Sequence, residues 1–197
     1  LISVYLGAPP SPDGYALAMD QLDPSRFVAR KTTAREVAQR IVDGRIVAVF
    51  QGGAEGGPRA LGNRSLLADP RGDDVKDRVN CIKKREPFRP FAPVIMSEHY
   101  KTYFQTKPNN HDYMQFADPC LDIKGLPAIC HFDGTSRLQT MPKNSPSITR
   151  KILEAWYERT GCPMLLNTSL NIRGEPMVND RADADRFESL YGVKVCS

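Results

Sequence analysis

The stretch Arg45-Ile46-Val47-Ala48-Val49-Phe50-Gln51 reads as a strand, and its central residues are apolar without alternation. A strand facing water on one side would alternate apolar and polar side chains. An unbroken run predicts a strand covered on both faces. Just before it, Thr33 opens a capping box with Glu36, Val37 and Ile41 share one helical face, and Gly44 supplies a stop, which together predict a short helix. Just after it comes a glycine-rich turn, Gly52, Gly53, Gly56 and Gly57, running into Pro58-Arg59-Ala60-Leu61-Gly62.

Further out the pattern repeats. Asp73 and Asp74 precede Val75, Val79 and Ile82 at helical spacing, and acidic residues favour a helix N-terminus. Pro87, Pro90 and Pro93 break the chain before a short strand over Val94–Met96, and residues 100–128 give a weak signal. Ser145 before Pro146 predicts an N-cap with proline at the first helical position, and Ile148, Ile152, Ala155, Trp156 and Arg159 continue one face to Gly161. Met164–Asn167 is a second buried strand. Asp180 is expected to cap a last helix with Ala184, Phe187 and Leu190 inward, ended by Gly192 before a strand over Val193–Cys196. Helices alternating with apolar strands predict a layered α/β domain. Residues 1–30, with Pro9, Pro10, Ser11, Pro12, Asp13 and Gly14, read as an irregular lead-in, an interdomain junction cut at Leu1. There is no internal repeat and no low-complexity segment.

Composition narrows the class. The 197 residues carry 27 Lys and Arg against 23 Asp and Glu, a net charge of +4, with 41% hydrophobic and 25% charged residues, which excludes disordered, collagenous and coiled-coil chains. The longest apolar run, Ile46–Phe50, falls far short of a membrane span, and no secretory signal is present. The five cysteines, Cys81, Cys120, Cys130, Cys162 and Cys196, form no C-x-x-C pair. They read as reduced intracellular thiols, which points to the cytoplasm. The only Cys and His adjacency is Cys130-His131, whose side chains would point apart in a strand, so no metal site is expected.

The charge itself is local. Between Arg59 and Phe91 stand nine positive residues (Arg59, Arg64, Arg71, Lys76, Arg78, Lys83, Lys84, Arg85, Arg89) against five negative ones (Asp69, Asp73, Asp74, Asp77, Glu86), an excess of four that equals the net charge of the whole chain. Lys76 and Arg78 read as a solvated helix face. Arg59, Arg64, Lys83, Arg85 and Arg89 sit in turns or at element ends, where side chains converge on one site. Cations beside glycine turns suit a phosphate-rich ligand, since backbone N–H groups and guanidinium forks share its oxygens.

Neither G-x-x-x-x-G-K-[ST] nor G-x-G-x-x-G occurs. Glu55 reads either as a metal or ribose ligand or as a surface carboxylate. Asn167, Ser169 and Asn171 end the second buried strand, where small polar side chains face ligands in open α/β sheets, although they are also ordinary turn residues. Arg137, after the turn Asp133-Gly134, is either a phosphate clamp or a surface arginine. No arrangement of Ser, Cys or His suggests a covalent nucleophile, so the expected chemistry is electrostatic: cations holding phosphates as a phosphoanhydride or acyl phosphate reacts.

Four segments together resemble the carbamoyltransferase family that includes the nodulation protein NodU and the antibiotic O-carbamoyltransferases. They are Glu55-Gly56-Gly57-Pro58-Arg59-Ala60-Leu61-Gly62-Asn63-Arg64-Ser65 with Ala68-Asp69-Pro70-Arg71, Asn80 to Pro93, Asp133 to Thr140, and Leu165 to Pro176. The resemblance implies the family's C-terminal, YrdC-like three-layer domain, a twisted mixed β-sheet flanked by helices, over residues 31–197. Its implied activity is formation of carbamoyl adenylate from carbamoyl phosphate and ATP with Mg²⁺, with release of phosphate and pyrophosphate. The family's K-x-R and S-x-N elements fall on Lys83 with Arg85 and on Ser169 with Asn171, as the implied catalytic set. Arg59, Arg64, Arg89, Arg137 and Asn167 become implied ligands of carbamoyl phosphate or the nucleotide.

Iron and transfer to an acceptor hydroxyl would belong to an N-terminal Kae1-like domain of the same polypeptide. This chain departs from the family at Gly53, where an arginine is usual, and at Gly56, where a bulky residue is usual. Competing readings are a threonylcarbamoyl-adenylate synthase and an RNA-binding YrdC-like module. Against the second stand the small net charge and the lack of aromatic residues between Arg59 and Lys84. A scaffold half that only positions the transferase domain is a further alternative. No membrane partner is expected, and homodimerisation stays open.

Overall fold

A computed structural model describes residues 15–19, 32–106 and 111–171, with 174, 176–178, 182–183 and 186–187 beyond them. In chain order the elements are β1 (Tyr15–Met19), α1 (Ala34–Val42), β2 (Ile46–Phe50), β3 (Arg64–Ala68), α2 (Val75–Ile82) and β4 (Ala92–Met96), then α3 (Tyr100–Tyr103), β5 (Asp118–Pro119), β6 (Thr135–Ser136), β7 (Gln139–Met141), α4 (Ile148–Thr160) and β8 (Met164–Ser169). Six strands form a mixed sheet in the order β1-β2-β3-β8-β4-β7, antiparallel at every pairing except the parallel β4–β7 pair. β5 and β6 pair separately.

The unbroken apolar run of β2 is buried at all five positions, as a strand covered on both faces requires. α1 is capped as expected: Thr33 Oγ1 accepts from Glu36 N at 3.3 Å while Glu36 Oε2 accepts from Thr33 N at 2.8 Å. Its buried face, Val37, Ala38 and Ile41, packs on α4, whose Ile152, Leu153 and Trp156 are fully buried. The Trp156 indole keeps its one polar group satisfied, donating to Met164 O at 3.0 Å.

Three expectations change. Within the stretch read as an irregular lead-in, Tyr15–Met19 forms β1 and pairs residue for residue with β2, because a short apolar segment can extend an open sheet edge. Arg64–Ala68, unremarkable as a strand by composition, is β3 and is buried throughout between β2 and β8. α4 begins two residues later than the proline suggests: Ser147, extended at φ −60° and ψ 138°, is the N-cap, and its Oγ accepts from Thr149 N, whereas Ser145 Oγ accepts from Ser147 N. Of the expected last helix, Phe187 is helical and buried; Asp180, Ala184, Leu190, Gly192 and the strand Val193–Cys196 lie outside the described residues.

The turn after β2 is fastened to α4 at one glycine. Gly62 sits at φ +113°, and a Cβ there would come 2.7 Å from Thr149 Oγ1, the hydroxyl that donates to Gly62 O. Gly62→Ala is therefore expected to lower stability by about 1–3 kcal/mol through backbone strain and a clash with a helix that cannot yield. Urea denaturation checks this, and an unchanged midpoint would contradict it.

Candidate functional site

The glycine turn between β2 and β3 is organised by Glu55. It is 7% exposed, and its Oε1 accepts from Leu61 N at 2.7 Å, Asn63 N at 2.9 Å and Arg64 N at 3.4 Å. The surface reading of this residue does not hold: a buried carboxylate bonded to three backbone N–H groups is a loop keystone. Arg64 completes the same structure from the other side. Its guanidinium donates to the carbonyls of Gln51, Gly52 and Asn63 and lies 3.8 Å above the Phe50 ring. It is fully buried, and burial, opposed by the nearby Glu55 charge, brings its pKa down to about 10. The result is a stiff loop that holds Arg59 outward.

Asn80, near the end of α2, organises the second cationic segment. Its Nδ2 donates to Pro87 O and Arg89 O, and its Oδ1 accepts from Arg85 Nε at 2.8 Å. Arg85 also stacks 4.4 Å over the Phe91 ring, and burial together with Arg89 brings its pKa down to about 10 against the opposing pull of Glu86.

Beyond them, the end of β8 brings the sequence-distant pieces together. Asn167 Nδ2 donates to Ala60 O at 3.1 Å and to Gln139 Oε1 at 3.0 Å, while Gln139 Nε2 donates to Leu61 O. One turn on, Lys83 is buried from the α2 side and donates to Ser169 O, to Ser169 Oγ at 3.2 Å and to Asn171 Oδ1 at 2.7 Å, and Ser169 Oγ donates to Asn171 Oδ1 at 2.8 Å.

These pieces frame a cleft of about 230 Å³. Of the expected site residues, Arg59, Arg85, Arg137, Asn167 and Ser169 line it. Lys83 and Asn171 stand behind its wall and reach it through the Ser169 hydroxyl. Arg89 is exposed, 3.6 Å from Glu86, and Arg64 is buried in the loop; neither lines the cleft. Phe91, Met114, Thr168 and His131 line it without having been singled out by the sequence. Phe91 and Thr168 lie within matched segments, and His131 stands two residues before the matched turn; Met114 carried no signal.

Two buried polar atoms on the cleft residues, Asn167 Oδ1 and Arg137 Nε, have no hydrogen-bond partner, and no carboxylate lines the cleft among the described residues. The positive charges are crowded. Burial and Arg137 lower the pKa of Arg59, and burial, Arg85 and Arg89 bring Lys83 down to about 7. Crowded cations facing an open cleft suit an anion, because a bound anion would relieve their repulsion.

The lysine makes a test of its own. Unfolded, Lys83 holds its proton to about pH 10.5; folded, it releases it near 7. Within that window the unfolded chain binds more protons, so the lysine's contribution to stability rises with pH, and below about pH 7 the cost of burying the charge is carried in full. Wild type should gain stability relative to Lys83→Met between about pH 7 and about pH 10 in urea unfolding. A constant difference would contradict this.

Among the described residues no cluster of three or more His, Cys, Asp or Glu is placed to hold a metal ion, and no helix is long and apolar enough to cross a membrane.

The model of the carbamoyltransferase C-terminus matches residues 38–195. The nodulation protein NolNO of Sinorhizobium fredii is 45% identical over 156 residues, covering 77% of this chain and 23% of that protein. The 3'-hydroxymethylcephem-O-carbamoyltransferase of Amycolatopsis lactamdurans is 39% identical over 173 residues, covering 88% of this chain and 33% of that protein. The chain thus spans 23% to 33% of the length of these relatives. Among solved structures, T. kodakarensis HypF superposes with a TM-score of 0.59 at 21% identity, over 93% of this chain and 22% of that one. Full-length HypF in its phosphate- and nucleotide-bound form gives 0.55 at 18% identity, over 89% and 21%. This likeness bears out the expected YrdC-like α/β fold with a mixed sheet flanked by helices.

Proposed function

The chain belongs to the carbamoyltransferase family through its C-terminal domain, and from that premise we propose that its cleft binds carbamoyl phosphate and ATP and forms carbamoyl adenylate. The observation that carries this reading is the convergence of Arg59, Arg85 and Arg137 on one cleft with no lining carboxylate. Three fixed cations suit a ligand bearing several phosphoryl groups, and they act where charge develops without having to reorganise. Release of both phosphate and pyrophosphate consumes one water. Carbamoyl phosphate is cleaved to carbamate and phosphate, and a carbamate oxygen then displaces pyrophosphate from the α-phosphorus of ATP.

In this scheme Arg59 and Arg137, arriving from two separate loops, hold phosphoryl oxygens from two sides. Arg85, set by Asn80 and Phe91, takes a third direction. Lys83 and Asn171 fix the Ser169 hydroxyl at the cleft. Asn167 Oδ1 is an acceptor, suited to a carbamoyl N–H or a ribose hydroxyl. Arg89 and Arg64 take indirect parts, the first through the local positive potential, the second through the shape of the loop. Mg²⁺ would enter on the phosphates of the nucleotide.

Residues 31–197 form the adenylate-making domain in this reading, with residues 1–30 as the junction, of which β1 joins the sheet. An N-terminal Kae1-like domain of a longer cytoplasmic polypeptide, carrying the iron, transfers the carbamoyl group to the acceptor. Calorimetry with ATP and carbamoyl phosphate, followed by a pyrophosphate assay, tests the reading. Micromolar to millimolar binding with pyrophosphate release is expected. No binding of either compound by folded protein with Mg²⁺ overturns it. Pyrophosphate release only with threonine and bicarbonate would transfer the assignment to a threonylcarbamoyl-adenylate synthase.

A further inference from the structure

His131 lines the cleft beside Arg59, Arg85 and Arg137 and belongs to none of the roles assigned above. It opens a tight turn: its N–H donates to Thr135 O at 2.7 Å and its carbonyl accepts from Gly134 N at 3.0 Å. Across this turn its Nδ1 lies 3.4 Å from Thr135 Oγ1, and that hydroxyl donates its single proton to Asp133 Oδ1 at 2.7 Å. Asp133 Oδ1 also accepts from Thr135 N at 3.0 Å. A hydroxyl whose proton is already committed can only accept from the imidazole. Nδ1 therefore carries a hydrogen, and Nε2 is the ring nitrogen left for another partner.

The electrostatics agree with this geometry. The Thr135 hydrogen bonds, with the His131 charge in a lesser part, hold the Asp133 carboxyl below the usual range, so the far end of the chain is anionic.

We infer that His131 is a further ligand-binding residue of this cleft, meeting a phosphoryl oxygen of the bound anion through Nε2, with Thr135 and Asp133 as positioning residues that fix its tautomer. The inference rests on the phosphate-binding reading given above and adds one donor to it. The ligand class is a phosphate monoester, an acyl phosphate or a nucleotide phosphate, and inorganic phosphate is the simplest probe.

The experiment uses the full chain labelled with ¹⁵N-histidine and titrated with inorganic phosphate, carbamoyl phosphate and ATP in turn. The His131 Nε2 resonance is expected to move and saturate at the ligand concentration that calorimetry gives for binding, with Nδ1 protonated throughout. His131→Gln is expected to weaken binding of the probe about tenfold. Thr135→Val is expected to weaken it less, about threefold, and to give His131 a mixture of tautomers, which a merely structural role for Thr135 would not produce. Binding by wild type with an unmoved His131 ring overturns the inference while leaving the phosphate-binding reading intact, and so does unchanged affinity in His131→Gln. The ring titration needs no variant, so a variant that fails to fold does not decide the matter. Failure of wild type to bind any of the three anions overturns both.

Discussion

Replacing Lys83 with methionine is expected to slow carbamoyl-adenylate formation by roughly 30- to 1000-fold, equivalent to about 2–4 kcal/mol of barrier, while the fold survives. Methionine keeps most of the buried volume and removes the amine, so the change isolates its hydrogen bonds from packing. Lys83 is 5% exposed and is the donor to Ser169 Oγ and Asn171 Oδ1, so its loss frees the serine hydroxyl from one of its two partners. Pyrophosphate release in single turnover measures the effect, with circular dichroism as the check on folding. A rate within threefold of wild type would remove Lys83 from the chemistry. It would favour a domain that only positions another part of the polypeptide.

The second large effect falls on stability. Arg64→Ala is expected to lower stability by about 3–5 kcal/mol, since it takes the guanidinium donor from the carbonyls of Gln51 and Gly52, leaves that of Asn63 to Gln51 N alone, and strips a buried carboxylate of its neighbouring charge. Arg64→Lys should recover part of this at most, because an ammonium supplies charge but not the planar fork that serves Gln51, Gly52 and Asn63 together. Urea unfolding of both variants tests the claim. Equal stability of Arg64→Ala and wild type would refute the keystone role. The same variant separates two roles that look alike in the sequence: a ligand arginine would raise KM without moving the unfolding midpoint, whereas Arg64 should move the midpoint first.

That contrast shows where sequence reading was strong. The capping box at Thr33, the glycine stop after Val42 and the apolar run of β2 are signals within a few residues of one another, and backbone geometry acts at that range. The strand Met164–Ser169 and the helix ended by Gly161 were legible for the same reason. β3 was not, because Arg-Ser-Leu-Leu-Ala has little intrinsic strand preference. Its place in the middle of the sheet comes from pairing with β2 on one side and with β8, about a hundred residues away, on the other.

Arg59, Arg64, Arg85 and Arg89 look equivalent as cations beside Gly and Pro. Folding separates them: Arg59 and Arg85 line the cleft, Arg64 turns inward to the loop carbonyls, and Arg89 stays at the surface with Glu86. Glu55 likewise left its two readings open until three backbone N–H groups closed around it.

By itself, then, the sequence determined the α/β class, the family, the elements α1, β2, α2, β4, α4 and β8, and the place where positive charge accumulates. Only the tertiary structure decided which charges line the cleft, that Lys83 stands behind Ser169, and that His131 lines the cleft. Secondary structure and charge density are set by neighbours along the chain. The direction of a side chain's functional end is set by segments brought beside it from far away, and here those are the glycine turn, the end of α2, the Asp133 turn and the end of β8.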